Sequence, residues 1–141
     1  MTRSRFRRRG QRGATMIEFL LVALLLFLML FASIEFDRML FVYTNLADAA
    51  KAGVRYAIVH GSNRTSGACG PAANPTAVVD LITNYTTAVD RSKLTVNVTY
   101  PEGDNATGNS VNVVVQYAYD PWVLLPLGVT LSATSRGVIT W

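Results

Sequence analysis

Between Glu18 and Glu35 the sequence carries no charge at all: residues 19–34 read FLLVALLLFLMLFASI. Counting back to residue 14 lengthens the apolar stretch to 21 residues, interrupted only by Glu18. At 1.5 Å per residue a helix of that length covers roughly 30 Å, the thickness of a bilayer core. It is long enough to cross a membrane. A cleavable secretory signal would have a shorter apolar core followed closely by a small-x-small site. The nearest clear Ala-x-Ala, Ala47-Asp48-Ala49, is too far downstream.

The charges flanking this run are uneven. Six of the 13 basic residues (Arg3, Arg5, Arg7, Arg8, Arg9 and Arg12) precede residue 13, where there is no acid, and the remaining 7 basic and 9 acidic side chains leave residues 14–141 at −2. With Glu35 and Asp37 on the far side, the positive-inside rule predicts a single pass with the N-terminus cytoplasmic and the rest outside. A nucleic-acid-binding arm is the competing use of an Arg run, but an apolar span begins within a few residues and Phe6 is the one aromatic side chain in the run. No nucleic-acid partner is expected, and the lipid bilayer is. Nor does the run resemble a twin-arginine export signal, since Gly10 and Gln11 follow the Arg triplet.

Glu18 is out of place in a plain anchor. An ionised carboxylate costs about 2.5–3.5 kcal/mol at the bilayer centre and less near the interface, so such a residue usually has a partner or snorkels, here toward Arg12. The local sequence is Gly13-Ala14-Thr15-Met16-Ile17-Glu18-Phe19. Cutting after Gly13 would remove all six clustered Arg residues and make Glu18 the fifth residue of the product. That pattern resembles the processing signal of type IV pilins and pseudopilins, a basic leader ending in Gly with Glu five residues on.

More closely, residues 12–57 resemble the TadE-like minor pilin (pseudopilin) family of tight-adherence, or Flp-type, pilus systems. RGATMIEF is followed by the apolar run and then IEFDRMLFVYTNLADAAKAGVRYA. The stem residues carrying the likeness are Glu35, Phe36, Arg38, Asn45, Ala49, Ala50 and the Gly53-Val54-Arg55-Tyr56-Ala57 ending. Leu24 stands where members often carry a mid-segment Pro, so a straight helix is expected; Asp37 stands where Gly is common.

The resemblance implies chemistry done to this protein rather than by it. A prepilin peptidase would cut between Gly13 and Ala14, and the new α-amine of Ala14 would be neutralised by Glu18 of a neighbouring subunit. Low dielectric strengthens such a pair and penalises either charge left alone. The implied partners are the peptidase, other pilins and minor pilins, and inner-membrane platform proteins of the pilus secretion system. The implied location is a bacterial inner membrane, with the C-terminal part periplasmic or carried into an extracellular pilus. Alternatives are a pseudopilin of a type II secretion system, or an uncleaved single-pass anchored enzyme or binding module.

Beyond the membrane, Leu40, Tyr43, Leu46, Ala47, Ala50, Val54, Ala57 and Ile58 recur at three- and four-residue spacings, predicting that the helix continues to His60 with Gly61 as a left-handed stop. The small residues Ala47, Ala49, Ala50, Ala52, Gly53 and Ala57 suit ordinary packing of the helix on a sheet. Residues 62–74 read as an exposed loop. Asn74-Pro75 offers an N-cap with Pro at the first helical position, and Val78, Val79, Leu81, Ile82, Tyr85 and Val89 form the apolar stripe of a short second helix.

The period then changes to two. Leu94, Val96, Val98 and Tyr100 predict one strand, and Val111, Val113, Val115, Tyr117 and Tyr119 a second. Leu131, Ala133, Ser135, Gly137, Ile139 and Trp141 predict one face of a third. Residues 121–129, PWVLLPLGV, are more apolar than a solvent loop and are expected to fold against the sheet or helix end, or to meet a neighbouring subunit or the membrane surface.

The expected fold is α+β, pilin-like and single-pass: a long N-terminal transmembrane and stem helix, a short second helix and a three-stranded antiparallel meander. It divides into a basic leader (1–13), a transmembrane helix (14–36), its outer continuation (37–60) and a small α+β domain (61–141). One Cys and one His exclude a disulfide framework within the chain and a multi-Cys/His zinc site. Cys69 and His60 flank a loop and do not read as a nucleophile and base; Cys69 is expected either to pair between molecules or to sit buried. No phosphate-binding Gly pattern or Ser elbow is present. The expectation is therefore no enzyme, no catalytic residue, no cofactor and no metal. Four Asn-x-Thr triplets, at Asn63, Asn84, Asn97 and Asn105, would matter only in a eukaryotic secretory route.

Overall fold

The computed structural model describes residues 9–71, 74–87, 89–122 and 128–141, for 9–12 through the backbone alone. One helix, α1 (Arg9–Ile58), runs without a break from the end of the Arg cluster through the apolar segment and out the other side. No Pro lies within its 50 residues, and with Leu24 in place of a Pro nothing removes a backbone donor. It is followed by α2 (Thr76–Tyr85), a 3-10 turn (Arg91–Lys93), β1 (Leu94–Thr99), β2 (Ser110–Tyr119) and β3 (Val129–Val138). The strands form an antiparallel meander in the order β1-β2-β3, with Val96 opposite Val115 and Val113 opposite Ser135. This is the expected α+β architecture with one helix long and apolar enough to cross a membrane.

Burial divides α1 in two. From Gly13 to Ile34 the side chains are exposed or nearly so, whereas from Glu35 a buried stripe appears at Glu35, Val42, Leu46, Ala49, Ala50, Gly53, Val54 and Ala57. Glu35, Val42 and Ala49 lie seven residues apart, two helical turns each, so they share one face. That face covers the sheet: with Val111, Val113, Val115, Tyr117 and Tyr119 of β2, Ala133 of β3, Ile139, and Val78 and Ile82 of α2 it makes one core. β2 is buried at alternate residues as its period predicts, and as the central strand it has the most continuous apolar face. The chain's direction along the core is fixed at both ends. Tyr119, closing β2, meets Glu35, while Ile58 at the end of α1 accepts the Thr140 N–H at 3.1 Å. β2 therefore runs back toward the apolar half of α1.

The small residues of α1 serve close packing within the chain. A Cβ at Gly53 would lie 2.5 Å from Ile82 Cδ1, so this glycine lets α2 approach, and Gly137 of β3 does the same for Val54 and Ile58. The alanines match the helix-on-sheet expectation; at Gly53 the neighbour is a helix.

Several details differ from the sequence expectation. The helix stops at Ile58, two residues early, and Gly61 is not in the left-handed region. Its need is for space: a Cβ there would fall 1.9 Å from the Trp141 carbonyl oxygen and 2.9 Å from that of Asn105. The loop after it is exposed at 62–67, Pro71 and Asn74, but Cys69 and Gly70 are buried. Pro75 precedes α2 rather than starting it, after Asn74 at φ 73. Tyr85 is exposed, and Val89 lies beyond the helix because Thr86 ends it, its hydroxyl and N–H both donating to the Ile82 carbonyl at 3.0 Å. β3 begins and ends earlier than expected, because β2 offers no partner past Ser110. Ile139 stays buried, but Trp141 is exposed and not part of the strand face. Within residues 121–129, those numbered 123–127 lie outside the described residues, as do Arg3, Arg5, Arg7 and Arg8 of the leader.

Candidate functional site

The predicted site residues fall into two groups separated by the apolar half of α1. In the first, Gly13, Ala14 and Glu18 follow one another on continuous helix and all are exposed. A Cβ at Gly13 would meet nothing within 4 Å, so no contact of the described chain requires glycine there. Ala14 and Glu18 are one turn apart and share a side of the helix. Glu18 forms no ion pair with another described residue.

The second group lies where α1 leaves the apolar segment. Glu35 is buried, with 7% of its surface exposed, and its carboxylate accepts a short hydrogen bond from the Tyr119 hydroxyl. Burial and this hydrogen bond push the Tyr119 phenol up to about 12, since ionising it would place a second anion against the carboxylate. Arg38, one turn on, approaches the same carboxylate at 3.7 Å. Its guanidinium lies 5.3 Å from the Tyr119 ring centroid and 4.4 Å from that of Trp122, a cation–π arrangement with two rings. One guanidinium nitrogen, Nη1, is buried with no hydrogen-bond partner among the described residues. Just beyond, Lys93 and Asp120 pair at 3.7 Å across the ends of β1 and β2. The junction thus joins helix to sheet through one buried carboxylate, one aromatic-flanked cation and two aromatic side chains.

The remaining stem residues do not converge on it. Phe36 is exposed beside the junction. Asn45 donates from Nδ2 to the Phe41 carbonyl at 2.9 Å, bonding its own helix. Gly53 packs on α2, Arg55 is exposed, and Tyr56 stacks on His60 with centroids 4.0 Å apart. Tyr56 and His60 support the distal turn, where the His60 carbonyl accepts the Cys69 N–H at 2.7 Å. The Cys69 carbonyl in turn accepts from the Tyr100 hydroxyl at 2.7 Å and Asn105 Nδ2 at 3.1 Å. Burial raises the thiol of Cys69 and carries the Tyr100 phenol to about 12. A thiol so enclosed fits the buried alternative for Cys69 rather than pairing between molecules.

Sequence reasoning missed Tyr119 and Trp122 as members of the junction. The alternation places Tyr119 on the face of the second strand, but not opposite an acid; Trp122 stands only in the apolar segment 121–129. The available signal was the seven-residue spacing that puts Glu35 on the stripe of Val42 and Ala49, where a carboxylate needs a hydroxyl or a cation facing it.

No curated protein and no solved structure matches the chain. A family model described as TadE-like protein matches residues 13–55, from Gly13 through the apolar segment and the junction to Arg55. That stretch lies wholly within α1 and contains the first group and the helical half of the junction, Glu35 and Arg38. Over that stretch, under a third of its length, the chain is similar to TadE-like proteins.

Proposed function

We propose that this chain is a minor pilin or pseudopilin, a structural subunit that helps assemble a tight-adherence pilus by priming it, capping it or entering it. The observation that carries this reading is the family match beginning at Gly13, joined to a Glu18 that stands exposed one turn into an apolar helix. In this reading α1 anchors the precursor with its Arg-rich end in the cytoplasm and the α+β domain in the periplasm. A prepilin peptidase hydrolyses the Gly13–Ala14 bond, adding water to give a carboxylate on the leader and an α-amine on Ala14. The amine lies one helical turn from its own Glu18 and faces the Glu18 of the next subunit on assembly. The proposed partners are that peptidase, other pilins and the inner-membrane platform, and the role is structural rather than enzymatic.

Co-expression with a prepilin peptidase and N-terminal sequencing of the product tests this. The expected product begins Ala14-Thr15-Met16; retention of the Arg leader beside a processed control prepilin would sink the proposal. Gly13→Ala is expected to slow cleavage strongly. Glu18→Ala is expected to leave cleavage largely intact and to impair pilus formation, and normal pili from Glu18→Ala would remove the charge-pairing argument.

A further inference from the structure

The junction lies at a definite height. If the apolar segment ends at Ile34 at the edge of the hydrocarbon, Arg38 is four residues, about 6 Å, beyond it. A bilayer of about 30 Å core and 40–45 Å overall leaves roughly 5–8 Å of headgroups on each side. Arg38 is therefore at headgroup height, and tilting α1 only brings it lower. Tyr119 and Trp122 are in contact with Arg38, so the end of the sheet is held at the same level. Trp122 is 83% exposed there, and Phe36 and Val129, which pairs with Tyr119, are exposed beside it.

We propose that this end of the α+β domain rests in the phospholipid headgroup layer of the bilayer that α1 crosses, with the Trp122 indole inserted among the headgroups and the Arg38 guanidinium bound to lipid phosphate. The proposal rests on the membrane-anchored reading but not on cleavage, orientation or pilus entry. Three features fit phospholipid. Trp is enriched at membrane interfaces and Arg can snorkel to them, each having an apolar body and a polar head. The Arg38 side chain is 39% exposed and its carboxylate neighbour is engaged by Tyr119. The surface also lies within one helical turn of the end of the apolar segment, with Phe36 exposed between them. This end carries no excess of cations, with Arg38, Arg91 and Lys93 against Glu35, Asp37, Asp90 and Asp120, so the contact reads phosphate and the interface rather than net anionic charge.

The chain has two Trp residues at opposite ends of the domain, which supplies an internal control. Trp141 is 66% exposed near the end of α1, and Ile58 is 24 residues beyond Ile34, about 36 Å. Full-length protein is placed in phosphatidylcholine vesicles containing a lipid with a nitroxide on its headgroup, using Trp141→Phe to report Trp122 and Trp122→Phe to report Trp141. The expected result is a quenching slope several-fold steeper for Trp122, little changed when anionic phosphatidylglycerol is added, and reduced by Arg38→Gln but less by Arg38→Lys. Equal slopes in protein that floats with the vesicles overturn the proposal while leaving the anchor intact; failure to float overturns the anchor and the proposal together. Trp122 that is protected from aqueous acrylamide, insensitive to labelled lipid and released on dilution into excess lipid would assign the surface to a second copy of the chain instead.

Discussion

The two halves of α1 share a backbone and differ in everything that surrounds it. Residues 14–34 show exposed apolar side chains on nearly every face, whereas the outer half buries a single stripe against the sheet and α2. The first has the composition lipid requires; the second has the spacing a protein core requires. Hydrophobicity therefore carries opposite structural meaning along one helix, and the change falls at Glu35. That residue is the first on the buried stripe, and its partner belongs to the sheet. An apolar helix that became amphipathic without such a residue would leave the seam between lipid-facing and protein-facing surface undefined.

Substitutions that treat the halves alike should break the comparison most sharply. Leu46, fully buried, is expected to cost the domain about 2–5 kcal/mol as Leu46→Ala. The same change at Leu28, exposed in the apolar half, should leave the domain's unfolding midpoint unmoved, as measured by thermal melts of detergent-solubilised protein. Gly61→Val should cost about 3 kcal/mol, because the obstructing atoms include two backbone carbonyl oxygens and the Ile139 side chain. Gly13→Ala, with nothing within 4 Å among the described residues, should leave the domain's midpoint unmoved whatever it does to processing.

At the junction, Tyr119→Phe removes the hydroxyl that satisfies Glu35 and should cost about 1–3 kcal/mol. The same tyrosine sets an alkaline limit. Its folded-state value of about 12 lies above the ordinary phenol value near 10, so its contribution is full below pH 10 and is lost as pH rises from about 10 to 12. Tyr100 behaves likewise. Domain melts should fall over that window, and less steeply in Tyr119→Phe.

The smallest effect belongs to Glu102. Its carboxylate accepts from the Ser110 hydroxyl and N–H, which hold it below the usual carboxylate range. The contribution is present above about pH 4.3 and fades as pH falls through the lowered value. Glu102→Gln should flatten that slight acid-side slope and lower the neutral-pH midpoint slightly.

Most of the fold was legible because it follows from periodicity. The uncharged run, the three- and four-residue spacing after it, and the alternation in β1 and β2 each name an element and a face. The short-range signals were less reliable at ends: Gly61 looked like a left-handed stop and is a close-approach glycine, and Trp141 continued an alternation that β3 abandons. The candidate site was legible only in its helical half. Glu18 and the Gly13–Ala14 pair stand out because a charge and a small-residue pair sit beside an apolar run. The junction did not, since Glu35 and Tyr119 are 84 residues apart and nothing local in either signals the other.

The unbroken path of α1 has a mechanical consequence. With no kink to absorb a change of angle, the helix acts as a lever pivoting in the bilayer. A tilt of about 20°, ordinary for a single-pass helix, would sweep the turn at Ile58 sideways by roughly 12 Å. The rim bearing Trp122 lies close to the pivot and would barely shift, so the far loops would sample a wide arc while the base of the domain keeps its footing.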